Sequence, residues 1–259
     1  MNKEVVLSPS SINLFIEEKA LWVLKHYYKM YGETNIYAVR GKLAEEVVNI
    51  GLDPNKSIVS YEEYLPKAIN KSLFDDVEIT EEDYKAFYEW GYKCHNILKI
   101  YTITSMQDRL EGELYGMKIA GYIDYKVNSV DSYYYLDLKT VAKCPHILTR
   151  GDRKGMLPSN KKANIRQQII YNKLSGLDTA LLFVDEEGNN LHYKLQLQDF
   201  VEHEPVIEEA IKKIKKLLTL PIEDVIIETY PKNMNSFFWC DTTRKKAREI
   251  WKIKEKKIF

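Results

Sequence analysis

Eight residues, YYYLDLKT at 133–140, decide much of what surrounds them. Tyrosine and leucine at this density suit a pleated, half-buried surface, so the stretch is predicted to be a β-strand. Side chains alternate along a strand, which puts Asp137 and Lys139 on one face, about 7 Å apart at a rise of about 3.3 Å per residue. Upstream, EGELYGMKIAGYIDYKV carries a turn signal at Gly116 and β-type alternation after it, and NSVDS is a second turn cluster. Residues 118–140 therefore read as a β-hairpin. If paired residue numbers sum to 259 or 261, Asp124 shares the face of Asp137 and Lys139 and lies opposite or diagonal to Asp137. Two carboxylates about 5 Å apart at an effective dielectric near 20 repel by roughly 3 kcal/mol. Lys139 offsets part of that repulsion. A divalent cation would satisfy both acids, and an all-oxygen donor set suits Mg²⁺ or Mn²⁺.

The rest of the chain supplies layers for this hairpin. SPSSINLFIEEKALWVLKHYYKMY begins with Ser8 before Pro9, a helix start, and is predicted to form one helix. A second helix is expected over about 37–51, with Leu43, Val47 and Ile50 on one side. Capping boxes at Ser60/Glu63 and Thr80/Asp83 announce two more. After the hairpin come a basic loop, a helix over about 161–174, strands at TALLFVD and LHYKLQL, a long amphipathic helix from Asp199 to about Leu220, and a final basic helix. Helices, an antiparallel hairpin, a helix, further strands and then helices specify a mixed α/β or α+β layer fold around one sheet. The 259 residues are read as a single domain, with a helical part over about 1–106, a sheet core over about 107–200 and C-terminal helices.

Net charge is zero, yet its distribution is uneven. Residues 61–113 hold twelve acids against six bases, whereas 141–173 hold eight bases against one acid and 241–259 eight against three. Basic segments of this kind can collect phosphates, although a solvated surface explains each run equally well. No apolar run approaches the roughly 20 residues of a membrane span, and MNKEVVLSPSS has no apolar core of a secretory signal, so a cytoplasmic location is expected. Cys94, Cys144 and Cys240 match no zinc or disulfide spacing, and Cys144 with His146 makes a poor metal pair.

An amino-terminal SPSSINLF, a helical RGKLAEE, then GYID, DLKT and QQIIY, in that order, resemble the RecB-like branch of the PD-(D/E)-x-K nuclease superfamily. The resemblance runs from about Leu7 to Tyr171, with a weaker echo in YPKNMNSFFWC. It implies a restriction-endonuclease-like core, with a central mixed sheet flanked by helices, and a metal-dependent phosphodiesterase acting on DNA. On the matched positions, Asp124 is the first metal-binding aspartate, Asp137 and Lys139 are the acid and lysine of the central motif, and the Leu138 carbonyl is an extra ligand. Gln167 and Tyr171 form the Q-x-x-x-Y pair that lines the site. Where family members often carry histidine four residues after the glycine of the early helix, this chain has Glu45, with Glu46 an alternative ligand one position on. Iron–sulfur members need four cysteines, so no such cluster is expected here.

The expected chemistry follows. Glu45, Asp124 and Asp137 hold the ion, and Lys139, its ammonium disfavoured by cation and burial, orients or deprotonates the attacking water. Lys143, Lys161, Lys162 and Arg166, with Gln167 and Tyr171, are expected to grip a single- or double-stranded DNA backbone without reading sequence. Nineteen tyrosines could stack bases, though most are expected in the core. The leading reading is an exonuclease of repair, recombination or phage DNA metabolism. A silent nucleic-acid-binding scaffold and an endonuclease of the same superfamily are the alternatives. Homo-oligomerisation and recombination or replication partner proteins are left open, and no membrane partner is expected.

Overall fold

The computed structural model describes residues 5–30, 36–53, 55–56, 58, 60–64, 77–129 and 132–253. Helices α1 (Pro9–Glu17), α2 (Lys19–Tyr27), α3 (Ile36–Leu52) and α4 (Glu81–Leu98) precede the sheet. Ser8 caps α1 by accepting from the Ser11 N–H at 3.1 Å, with Pro9 at the first turn. The long first helix expected from sequence is in fact two, broken at Glu18 (φ −145°, ψ 83°). The break brings Phe15 edge-on to Trp22, ring centroids 5.4 Å apart, and lets the Glu18 carboxylate accept from the Ser236 hydroxyl at 3.0 Å. Tertiary packing here overrides a helical periodicity that runs straight through. The Thr80/Asp83 capping box forms as expected, with reciprocal bonds of 3.1 and 2.9 Å. Residues 61–64 form a helical turn at the other expected start, and the remainder of that expected helix lies outside the described residues.

The sheet has five strands in the order β1 (Thr102–Leu114), β2 (Met117–Asn128), β3 (Tyr133–Thr140), β4 (Asp178–Val184) and β5 (Asn190–Lys194). Tyr115 (φ 52°) and Gly116 (φ 76°) make the two-residue β1–β2 turn, whose left-handed pair matches the twist of the flanking strands. All neighbouring strands are antiparallel except β3 and β4, which run parallel and are joined by the basic loop and α5 (Lys162–Ser175). The mixed α/β class expected from element order is the one observed.

Helices cover both faces. Val48 of α3 and Trp90 of α4 pack on Tyr125, Leu136 and Leu182, while α1, α2, α5 and the long α6 (Leu197–Leu217) pack on the other side, against Leu181 and Phe183. Adjacent residues of β4 thus face opposite cores, which is why six of its seven residues are buried and its sequence shows no polar alternation. Helices α7 (Ile222–Glu228) and α8 (Asp241–Ile250) follow, with Trp251 bonded back to the Ile226 carbonyl at 2.8 Å. Among the described residues, no helix is long and apolar enough to cross a membrane.

Candidate active site

The β2–β3 pairing follows the register in which residue numbers sum to 261, and it stops at Tyr125↔Leu136. The next pair would set Asp124 opposite Asp137. The strands part there, and the Asp124 Oδ2 accepts the Leu138 N–H at 2.8 Å in place of a backbone carbonyl. A residue's N–H and C=O leave a strand on the same edge, so the Leu138 carbonyl also faces the splayed gap.

The kink that turns Asp124 inward is visible on both strands. Ile123 packs with Tyr135 and Tyr171 on the α5 side, whereas Tyr125, two residues on, packs with Trp90 on the α3–α4 side. In a regular strand i and i+2 share a face. Across the ladder, Met106 packs with the Tyr125 cluster while Asp108 accepts from the Tyr135 hydroxyl at 3.1 Å. Between them, Gln107 adopts φ 56°, a left-handed conformation that a non-glycine residue holds at a cost on the order of 1–3 kcal/mol. Its amide nitrogen donates to the Glu45 Oε1 at 2.6 Å and to the Asp124 Oδ1 at 3.3 Å.

Glu45 reaches this gap because α3 lies close on α4: a Cβ at Gly91 would stand 2.6 Å from the Ala44 carbonyl oxygen. Burial raises the Glu45 carboxyl above the usual range, with Lys139 opposing and Asp137 adding to the shift. Asn49, one helical turn on, hydrogen-bonds Glu45 and also accepts the Tyr125 hydroxyl at 3.0 Å. Glu46 points elsewhere, its charge acting on Tyr64. Of the two acids left open by sequence, Glu45 is the one brought to the gap.

Asp137 is 2% exposed, and its Oδ2 pairs with the Lys139 ammonium at 2.5 Å. Asp124 is raised well above the ordinary carboxyl range, first by burial, then by the charge of Asp137, with Lys139 partly opposing. Burial works to lower the Lys139 pKa, but Asp137 and Asp124 outweigh it and the net shift is upward. The two carboxylates beside it hold Lys139 as an ammonium.

Gln167 and Tyr171 lie one turn apart on α5, the Gln167 amide donating to the Tyr171 hydroxyl at 3.1 Å and that hydroxyl to the Tyr122 carbonyl at 2.6 Å. Burial pushes the Tyr171 phenol up to about 12, which keeps it protonated at neutral pH. Gly121 makes the approach possible: a Cβ there would meet the Tyr171 Cε1 at 2.9 Å and the Pro9 Cδ at 3.0 Å. A groove of about 410 Å³ opens here, lined by Ser8, Ser10, Arg109, Tyr122, Gln167 and Tyr171.

The basic residues are less uniform than their sequence suggests. Lys143 is exposed on the loop after β3. Lys161 lies over the Phe183 ring, 5.5 Å from its centroid, and Lys162 pairs with Glu17 at 3.8 Å. Arg166 is 3% exposed, with its guanidinium given to Asn13 and Glu17. It fastens α5 to α1 and does not face solvent, contrary to the phosphate-gripping place expected beside Gln167.

Two features were missed from sequence. Nothing in TITSMQDRLEGEL marks Gln107 as left-handed, and Asn49 was read only as part of a helix; the i, i+4 spacing from Glu45 was its one available signal.

Among the described residues, no group of three or more His, Cys, Asp or Glu stands at metal-ligand spacing. The acids instead take Lys139, Gln107 and the Leu138 N–H as partners. Their chemistry nonetheless fits a hard divalent ion: the gap gathers the carboxylates of Glu45, Asp124 and Asp137 against the ammonium of Lys139.

No protein-family model matches the sequence, and no curated protein matches it either. In three dimensions the chain is similar to the crystal structure of a candidate exonuclease from Eubacterium rectale, with TM-score 0.64 at 14% identity, covering 98% of this chain and 91% of that one. An alkaline exonuclease from Laribacter hongkongensis overlays with TM-score 0.31 at 10% identity, covering 70% and 92%, a score too low to carry weight. The first likeness establishes the fold, a mixed α/β protein with a five-stranded mixed sheet flanked by helices.

Proposed function

We propose that the chain is a single-domain, metal-dependent DNA nuclease that hydrolyses phosphodiester bonds, acting as an exonuclease of the RecB-like type. The observation that carries this reading is the uncompensated charge in the splayed gap: three carboxylates converge on one ammonium, and burial raises two of them. A protein that holds such a cluster at the end of a central strand bears a stability cost that a purely structural site would not need. The motif order shared with RecB-like nucleases, and a fold similar to that of a candidate exonuclease, support the same reading.

Glu45, Asp124, Asp137 and the Leu138 carbonyl would hold Mg²⁺ or Mn²⁺. When bound, such an ion supplies neutralisation of phosphate charge and a water of lowered pKa. Lys139, an ammonium beside Asp137, is placed to donate to a phosphoryl oxygen or to orient the attacking water. Tyr171 spends its proton on the Tyr122 carbonyl and acts as a pin for Gln167, whose amide oxygen is left to face substrate. The groove beside this pair offers a path for the strand, and Lys143, exposed on the loop after β3, a phosphate contact.

The test is an assay on end-labelled linear DNA and on closed circles with Mg²⁺, Mn²⁺ or chelator, comparing wild type with Asp137→Ala. Expected are cleavage of linear DNA from its ends, dependence on the ion, and loss of cleavage with retained folding in the variant. Cleavage of circles would replace the exonuclease reading by an endonuclease. Cleavage unaffected by chelator or by the substitution would overturn the mechanism.

A further inference from the structure

We propose that Gln107 is a positioning residue whose left-handed backbone places a neutral donor between Glu45 and Asp124, holding the two acids together until a divalent ion takes them over. The inference rests on the metal-dependent reading above and adds the device by which the ion-free site is kept in order.

Three observations support it. First, the amide nitrogen reaches both carboxylates, at 2.6 and 3.3 Å, and it is their one shared side-chain donor among the bonds described. Second, the conformation is strained: φ 56° in mid-strand is a place for glycine or asparagine, not for a glutamine chosen at random. Both strands reverse their facing at this step, so the same residue sits at the kink and supplies a partner to Asp124. Third, Gln107 is exposed, so its amide can swing into solvent without opening a core when the acids engage an ion. An amide can hold two carboxylates by its N–H groups yet carries no net charge to compete strongly with a cation.

Gln107→Glu is the discriminating variant, because it replaces the shared donor by a third acceptor of the same shape. The full chain is melted by circular dichroism in chelator and in graded Mn²⁺, alongside wild type and Gln107→Gly, which permits the left-handed backbone. In chelator, Gln107→Glu is expected to melt roughly 5 °C or more below wild type, from like charges brought together. Mn²⁺ is expected to raise its melting temperature by more than it raises that of wild type, since the added carboxylate joins the ligand set. Gln107→Gly lacks the donor that the ion displaces, so it is expected to gain more from Mn²⁺ than wild type does and less than Gln107→Glu.

Equal melting of Gln107→Glu and wild type in chelator, equal Mn²⁺ gains in those two, or a gain in Gln107→Gly no larger than that of wild type would each overturn the proposal. If Mn²⁺ shifts none of the three while Gln107→Glu still melts low, the metal-dependent reading fails and the placement of Gln107 between the acids stands.

Discussion

Replacing Asp124 by asparagine should stabilise the ion-free protein while abolishing its proposed activity. Asp124 feels Asp137 and Glu45 as repulsion and Lys139 as attraction, with Asp137 the largest of the three charges. Two repulsions against one attraction leave about one uncompensated carboxylate contact, roughly 3 kcal/mol at about 5 Å and an effective dielectric near 20. Asparagine keeps one oxygen for the Leu138 N–H, bonded at 2.8 Å in the native protein, but its amide must find a new partner where Gln107 now donates. That exchange costs about 1–1.5 kcal/mol. The net gain is about 1–2 kcal/mol, or roughly 3–6 °C in melting temperature for a chain of this size. Thermal melts in chelator measure it, and the same samples are assayed on end-labelled DNA with Mg²⁺. A variant less stable than wild type in chelator would mean that the carboxylate is a net structural contributor, and the case from buried, unmatched charge would be lost.

The pH dependence of that gain has a definite sign. Asp124 and Glu45 both have raised folded pKa values, chiefly through burial, so the folded chain keeps protons that the unfolded chain gives up above about pH 4. Their contribution to stability is complete below that pH and is lost as pH rises through the folded values. The melting-temperature gap between Asp124→Asn and wild type in chelator should therefore widen from about pH 4 upward; a gap constant with pH would count against it. Gly121→Ala drives a methyl to 2.9 Å from the Tyr171 ring and 3.0 Å from Pro9, and should destabilise by about 1–3 kcal/mol while lowering turnover through displaced Gln167 and Tyr171. Unchanged turnover would show that this close approach does not position the pair. Lys143→Ala should weaken DNA binding and lessen its salt dependence by about one counterion, whereas Arg166→Met should lower the melting temperature and leave the salt dependence alone. A reversal of those two outcomes would return Arg166 to the DNA surface.

Much of the architecture could be read before any coordinates, because it rests on local patterns. The alternation in KIAGYIDYKV and YYYLDLKT gives the hairpin, and the NSVDS turn limits its register to two choices, one of which is observed. The Thr80/Asp83 box and the Ser8–Pro9 start are satisfied by atoms within a few residues, so they survive any tertiary context. The features that could not be read depend on distant partners. Glu18 breaks a helix for contacts made more than two hundred residues away, at Ser236. Arg166 looks like a phosphate ligand until α1 arrives beside it with Asn13 and Glu17. Burial alone would lower the Lys139 pKa, and the acids brought around it by the fold reverse the sign. Within the candidate site, residue types are legible in the sequence and the partners each one takes are not.

Strain, buried charge and close backbone approach coincide in one small region, and that coincidence is the strongest physical reason to place chemistry there. Each feature alone has an ordinary explanation: a left-handed residue can relieve a twist, a buried aspartate can cap a strand end, and a glycine can admit a ring. Gln107, Asp124 and Gly121, however, sit on two paired strands within a few residues of one another, and each sends a different element to the same gap: Gln107 reaches α3 through Glu45, Asp124 reaches β3 through Leu138, and Gly121 admits α5 through Tyr171. A sheet optimised only for stability would relax all three by continuing the β2–β3 ladder past Tyr125. It stops there instead, where the Asp124 carboxylate takes the Leu138 N–H and Lys139 pairs with Asp137. Under the metal-dependent proposal, the energy withheld from folding at this point is what a bound cation would return.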